Sequence, residues 1–158
     1  MKILYRGKDI IGTATDAYEG PEEFIQTLLD IDLSKLEWCT IVDGQLVFDR
    51  KSQLAALRVE KETAGITLAS GVEIATDRQT QSILSAAYNR AKVDPAFSVD
   101  WKGANGWVTL TAEMIIYIGD IVFSYVQACF SRERELSELI DQDSSTDITT
   151  GWPLRGGL

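Results

Sequence analysis

The stretch Thr111–Asp141, TAEMIIYIGDIVFSYVQACFSRERELSELID, predicts one long helix against which the rest of the chain packs. Thr111 suits the N-cap, and Glu113 places negative charge at the positive end of the helix dipole. From Met114 to Phe130 apolar residues occur on almost every side of the helical wheel, so we expect neighbours to cover more than one face. After Phe130 most positions are charged, which predicts that the last turns are half exposed.

A membrane span is the rival interpretation of this stretch. Asp120 and Gln127 interrupt the apolar run, which falls short of the ~20 residues needed to cross a bilayer. We therefore expect a central or interfacial helix and no membrane partner.

Composition excludes several classes of function. The 158 residues include 15 basic and 24 acidic ones, for a net charge of -9, and this charge disfavours binding to nucleic acid. The chain has no histidine, which excludes Ser-His-Asp and Cys-His catalysis and imidazole pH switches. The length fits one ordinary domain or two small ones.

The cysteines and the N-terminus indicate a reducing compartment. Cys39 and Cys129 are far apart in sequence, and each lies in an apolar segment, so we interpret both as reduced core residues. The opening MKILYRGKDI has no long apolar run of the signal-peptide type. We expect the chain to be made and kept in the cytoplasm.

Residues 1–49 predict a small ββαββ module. Two apolar runs around Arg6–Asp9 indicate a β-hairpin, and Asp43-Gly44 between WCTIV and QLVF indicates a second one with a type I′ turn. Between them, GPEEFIQTLLDID predicts an amphipathic helix that begins at Pro21. Its apolar face would consist of Phe24, Ile25, Leu28 and Leu29.

Residues 50–142 predict helices alternating with hairpins. A helix over Lys51–Thr63 has Gly65 as its left-handed terminator, and Ser70-Gly71 then marks a hairpin. A second helix has Thr76 and Gln79 in capping-box spacing.

That second helix ends at Asp94-Pro95, because the residue before a proline is disfavoured in a helix. A turn over Gly103–Gly106, flanked by Trp101 and Trp107, then joins the last strand pair. The fold class is therefore α+β, with short β-hairpins alternating with helices that pack on one long C-terminal helix. We divide the chain into a module over 1–49, a domain over 50–142 and an arm over 143–158.

The arm, DQDSSTDITTGWPLRGGL with its two preceding residues, is polar and by itself should be mobile. Its apolar groups include Trp152 and Leu154, and Trp152-Pro153 is a stiff pair of the kind that anchors in a partner's pocket. We predict Trp152, Pro153 and Leu154 as partner-binding residues. The alternative is that Trp152 folds back on its own domain, and the sequence leaves both open.

No motif in the sequence points to catalysis. Neither a GxxxxGK[ST] loop nor a GxGxxG after a strand is present. Asp94, Asp100 and Glu113 could meet as a carboxylate pair, but their spacing does not require it, and solvated surface carboxylates are the simpler interpretation. We expect no enzyme, no cofactor and no metal site.

Residues 55–141 resemble an uncharacterised domain family of tailed phages and prophages. The family pattern includes an apolar G-V hairpin, T-D-R, a D-P after a helix, and W-K-x-A-x-G-W-V-x-L-x-A before a final helix. Tyr125 stands where the pattern has histidine. The positions kept in this chain are Gly71, Thr76, Asp77, Arg78, Asp94, Pro95, Trp101, Lys102, Gly106, Leu110, Val126, Gln127, Ala128 and Phe130.

The opening is similar to the start of phage tail-fibre assembly proteins, through Tyr18, Glu19, Gly20, Pro21 and Glu22. Together the two resemblances imply a tail-fibre assembly protein, a chaperone that binds a phage tail-fibre or other tail protein. The alternative is a tail or baseplate connector retained in the virion, and homo-oligomerisation is compatible with both. The resemblance implies no active-site residue.

Overall fold

The computed structural model describes residues 2–6, 9–15, 17, 19–20, 23–26, 33–43, 45–103 and 106–156, with the backbone alone for 23–26 and 33–35. The chain divides into two compact units, residues 1–53 and 54–158. In these residues short antiparallel sheets combine with three α-helices, the last of them much the longest, which confirms the α+β class.

The first unit contains a three-stranded sheet and a hairpin. Strands β1 (Lys2–Arg6), β2 (Asp9–Ala14) and β3 (Glu23–Gln26) form an antiparallel sheet in the order β2-β1-β3. A 3-10 helix (Leu33–Trp38) precedes the hairpin of β4 (Cys39–Val42) and β5 (Gln45–Phe48). Both predicted hairpins are thus present.

The turn residues of these hairpins are only partly described. Asp43 has a φ of +50°, as the predicted type I′ turn requires. Gly7, Lys8 and Gly44 lie outside the described residues.

The helix predicted from Pro21 is wrong where the structure describes it. Glu23–Gln26 is a strand, and Phe24 and Ile25 pair with Leu4 and Ile3 of β1. Pairing satisfies the open side of β1 with backbone hydrogen bonds, which outweighs a weak local helix preference. The remaining predicted positions, Tyr18, Pro21, Glu22, Leu28 and Leu29, lie outside the described residues.

The second unit follows the predicted alternation. Helix α1 (Arg50–Thr63) leads to the hairpin of β6 (Ile66–Thr67) and β7 (Glu73–Ile74), and α2 (Arg78–Val93) leads to the hairpin of β8 (Ser98–Gly103) and β9 (Gly106–Thr111). The long helix α3 is Ala112–Gln142. Ala104 and Asn105 of the predicted turn lie outside the described residues.

The helix ends agree with the sequence at three of four predicted positions. Gly65 has a φ of +79° after α1, Asp94 ends α2, and the Thr111 hydroxyl accepts a hydrogen bond from the amide of Met114 at the start of α3. The fourth, the capping box of Thr76, is wrong: Asp77 caps α2, through hydrogen bonds from the amides of Gln79 and Thr80.

Helix α3 organises the core of the second unit, but through one broad face. Ile118, Val122 and Val126 are buried and pack in one cluster with Leu84 of α2. On the other side Phe123 is 66% exposed. The expectation that neighbours cover more than one face of this helix is therefore not met within the described residues.

The C-terminal tail packs against the second unit through Ile148 and Trp152. Ile148 is buried in a cluster with Leu54, Leu136 and Ile140, and Trp152 packs against that cluster. The Trp152 indole N–H donates a hydrogen bond to the Ile148 carbonyl at 2.9 Å. Of the two alternatives that the sequence left open for Trp152, the structure has the fold-back.

Candidate functional site

The second unit has a groove of about 830 Å³ that both of its described hairpins line. Hairpin β6–β7 and hairpin β8–β9 both contribute to its lining, together with α2 and the first two turns of α3. Pockets of roughly 300–1,000 Å³ are the usual size of binding sites. We call this feature the hairpin groove.

The floor of the hairpin groove is apolar core. Leu68, Leu84, Leu110 and Ile118 line it and are all buried. These side chains belong to the core cluster around α3, so the floor is fixed by the packing of the whole unit.

The rim of the hairpin groove is also apolar, and it is solvent-exposed. Five large apolar side chains that line the groove are exposed by 42–54%. Apolar side chains gathered at a concave surface indicate a binding site more than apolar side chains scattered singly do. The five are Val72, Ile83, Val108, Met114 and Tyr117.

Strand pairing explains why the groove face of β8–β9 is apolar. Val108 pairs with Trp101, and Leu110 pairs with Val99, so these residues share one face of the hairpin. Lys102 and Trp107 pair on the opposite face, where the Lys102 ammonium lies 6.0 Å from the centre of the Trp107 ring.

A buried polar network holds the other wall of the groove in place. The Thr76 hydroxyl donates to the Glu62 carbonyl at 2.6 Å and accepts from the Gly65 amide at 2.9 Å. The Gln81 amide group donates to the Thr76 carbonyl at 2.7 Å. Both ends of the segment from Gly65 to Thr76, which contains β6 and β7, are thereby tied to α1 and α2.

The carboxylate of Glu62 is the centre of this network and is fully buried. It pairs with Arg58 on its own helix and with Arg78 at 3.1 Å, and Arg58 also reaches Glu133 of α3 at 2.9 Å. A buried charge needs such partners to offset its desolvation. The Glu62 network is therefore a structural brace of the site, with no contact to the groove itself.

The charges that line the groove are of both signs. Glu73 and Asp100 are acidic, and Lys102 and Arg155 are basic. Asp100 and Lys102 border the groove from β8, and their side chains lie on the face of the hairpin opposite to its apolar face. The Asp100 carboxylate accepts a hydrogen bond from the Thr109 hydroxyl at 2.9 Å, while the Arg155 guanidinium is held by the carbonyl of Gly65 at 2.8 Å and that of Ala64. The groove thus has no dominant charge that would select a strongly charged ligand.

The candidate catalytic carboxylates have separate local roles. Asp94 accepts hydrogen bonds from the amide of Ala96 and from the Arg90 side chain at the end of α2. Asp100 pairs with Thr109 on the hairpin, and Glu113 lies in the first turn of α3. In the described part of the chain no three His, Cys, Asp or Glu side chains are placed to hold a metal ion.

Cys39 and Cys129 are not joined in a disulfide, as predicted, but only Cys129 lies in the core, because Cys39 is half-buried. Cys129 is completely buried, and burial raises the pKa of its thiol. Because the thiolate is the reactive form, this environment disfavours a nucleophilic role.

The predicted partner-binding residues lie in different environments. Trp152 and Pro153 are half-buried, whereas Leu154 is 80% exposed. None of the three lines the hairpin groove, although their neighbour Arg155 does. The sequence did not predict the groove. Its signal for an apolar surface there was the pairing of Trp101 with Val108, which places both side chains on one face of the hairpin.

The sequence region that forms the groove matches one known family. The chain belongs to the family described as Domain of unknown function (DUF4376), which matches residues 48–150. All lining residues of the hairpin groove except Arg155 lie within the DUF4376 region. No curated protein and no solved structure matches the chain.

Helix α3 of the DUF4376 region is long and apolar enough, by length and composition, to cross a membrane. One such helix is weak evidence, because a core helix of a soluble protein has the same properties. In this chain nine residues of α3 are buried, Leu136 and Ile140 in its charged half among them. About a third of the most apolar stretch of α3 is buried, so the interpretation of α3 as a central or interfacial helix stays a prediction.

Proposed function

We propose that this DUF4376 protein is a phage tail-fibre assembly protein, a chaperone that acts by binding protein and without catalysis. The observation that carries the binding role is the hairpin groove, with its apolar floor and five half-exposed apolar side chains at its rim. The link to tail fibres rests on the sequence resemblance of residues 55–141 and of the chain's opening.

The chemistry of the groove supports binding more than catalysis. Its charged residues are either exposed or already engaged, and it contains no nucleophile paired with a base in the described residues. An assembly chaperone needs a surface that covers apolar segments of an unfinished partner, and exposed apolar rims provide one.

A pull-down of the tail-fibre protein encoded beside this chain tests the proposal. Ile83→Glu places a charge at the groove rim, and Val93→Glu is its matched control, since both residues lie on α2, both are exposed, and only Ile83 lines the groove. We expect recovery of the fibre by the wild type and by Val93→Glu, and at least a tenfold loss with Ile83→Glu.

Leu154→Asp tests the tail separately, because Leu154 is exposed and its replacement does not open the core. A loss of recovery with this variant would support Trp152, Pro153 and Leu154 as partner-binding residues. Equal recovery by all variants would contradict binding of the fibre through the groove, and no recovery by the wild type would contradict the proposed function.

The connector alternative predicts a different location for the protein. Mass spectrometry of purified virions separates the two, because a chaperone leaves before the particle is complete and a connector stays at a fixed copy number. Phe123 and Phe130, exposed on the outer side of α3, are the observation that favours a permanent neighbour.

A further inference from the structure

We infer that the hairpin groove binds an extended segment of the partner protein, which adds as a β-strand to the hairpins that line it. This inference rests on the proposed function and specifies the conformation and chemistry of the bound segment. The segment is apolar at alternate positions and polar at the positions between.

The hairpins that line the groove have edges without a further strand in the described residues. Sheets β6–β7 and β8–β9 contain two strands each, so in the described residues β7, β8 and β9 each pair with one strand only. A two-stranded hairpin is marginally stable alone, and its outer edges carry unpaired backbone groups. Both hairpins would gain from a further strand.

Strand β6 already pairs with an extended segment of the chain's own tail. The Thr67 amide donates a hydrogen bond to the Arg155 carbonyl at 2.6 Å, and Gly156 forms a parallel bridge with Thr67. Arg155 also lines the groove. Strand addition at this wall is therefore a contact that the fold makes, by the extended tail of residues 155–156.

Apolar side chains alternate along the groove face of β9. Val108 and Leu110 alternate along β9, and Trp101 lies across from Val108 on the same face. A strand added at an edge of this hairpin places alternate side chains on the same face as Val108 and Leu110, and the intervening side chains on the opposite face. Because groove charges of both signs are balanced or already engaged, the inward side chains of the segment should be apolar and uncharged.

A helix is the less suitable occupant. A helix satisfies its own backbone groups, so it leaves the edges of β7, β8 and β9 unpaired. An extended segment satisfies those edges and fills the apolar floor at the same time.

Selection from a displayed library of random twelve-residue peptides tests this inference on the full-length protein. Peptides are selected on the wild type, counter-selected on Ile83→Glu, and checked on Val93→Glu for retained binding. We expect enriched peptides with apolar residues at every second position.

The two strongest enriched peptides are then synthesised with and without N-methyl groups at alternate backbone nitrogens. N-methylation removes backbone donors and leaves the side chains unchanged, so we expect at least a tenfold loss of affinity when the methylated nitrogens face a hairpin edge. Methylation in the opposite register is the control, and it should leave the affinity within about threefold.

Several outcomes would overturn the inference. Enriched peptides with apolar residues at helical spacing, unchanged affinity in both methylation registers, or no enrichment over Ile83→Glu would each contradict strand addition. Concentration-dependent dimerisation of the wild type that Ile83→Glu abolishes would assign the groove to a second copy of the chain. Period-two peptides without recovery of the fibre protein would keep the groove inference and contradict the proposed function.

Discussion

At the residue scale, Glu62 shows how a charged side chain becomes part of a core. It is fully buried, yet Arg58, Arg78 and Gln81 all reach its carboxylate. The sequence around it, RVEKET, is typical of a solvated helix face, and Glu60 two positions earlier is solvated as that pattern predicts. Only the packing of α2 against the end of α1 distinguishes the two glutamates.

Glu62→Ala should lower the free energy of unfolding by about 3 kcal/mol, because it leaves Arg58 and Arg78 without their shared anion. Glu60→Ala, on the same helix, is the control and should change it by no more than about 0.5 kcal/mol. Urea unfolding followed by circular dichroism measures both. Similar values for the two variants would contradict the bracing role of Glu62.

Tyr125 gives the fold a dependence on alkaline pH. Burial raises the pKa of its phenol to about 12, and the phenol donates a hydrogen bond to the Lys61 carbonyl at 2.8 Å. The folded state therefore keeps the proton at a pH where the unfolded state, with an ordinary pKa of about 10, has lost it. Stability from this residue is complete below pH 10 and is lost as the pH rises towards 12.

We expect the free energy of unfolding to fall by on the order of 2 kcal/mol between pH 10 and pH 12 through Tyr125. Tyr125→Phe, although less stable at neutral pH, should show a smaller fall over the same range. The measurement is urea unfolding at several pH values in that interval. An identical pH slope for the two proteins would contradict this assignment.

At the element scale, α2 and α3 approach closely at a single glycine. A Cβ on Gly119 would lie 2.5 Å from Cδ2 of Tyr88, and the Tyr88 hydroxyl is fixed by the Asp120 carboxylate at 2.8 Å. The ring therefore cannot move away without losing that hydrogen bond. Glycine is unfavourable in a helix interior, so its presence in the middle of α3 reflects this contact.

Gly119→Ala should destabilise the protein by about 1–3 kcal/mol through overpacking, reduced by the roughly 1 kcal/mol that alanine gains in helix propensity. In a Tyr88→Ala background the same change should be neutral or stabilising, because the clash is absent. Thermal unfolding of the four proteins gives the coupling. Additive effects would show that the two side chains do not meet.

At the scale of the whole molecule, the tail belongs to the fold of the second unit. Ile148 and Trp152 complete a cluster with Leu54 of α1 and with Leu136 and Ile140 of α3. The charged second half of α3 is thereby covered by residues that follow it in the chain. A domain that ends at residue 142 would leave this cluster open to water.

A fragment of residues 49–158 should fold cooperatively, whereas removal of 143–158 from it should cost about 3 kcal/mol or more, because the burial of Ile148 and Trp152 is lost. Circular dichroism and thermal melting compare the two fragments. Equal melting temperatures would show that the tail contributes no stability. An unfolded 49–158 fragment would contradict the separability of residues 1–49, which stays a prediction.

Sequence alone determined the features that depend on local chemistry. The C-terminal ends of α1 and α2, the N-cap of α3 and the hairpins in both units follow from glycine conformation, proline, capping and strand propensity. These effects act within a few residues, so they can be read from neighbours in the chain. The DUF4376 match confirms an uncharacterised domain over the region of residues 55–141, whereas the link to phage tails stays a prediction.

Tertiary structure decided what depends on residues distant in sequence. Glu23–Gln26 is a strand because it pairs with β1. Thr76 does not cap α2 because its hydroxyl donates a hydrogen bond to the Glu62 carbonyl. Trp152 packs on its own unit because it covers an apolar cluster there. The hairpin groove also forms only when hairpins β6–β7 and β8–β9 pack beside α2 and α3. Long-range hydrogen bonds and burial contribute more free energy than local preference at these positions, and a linear sequence does not show which partners will meet.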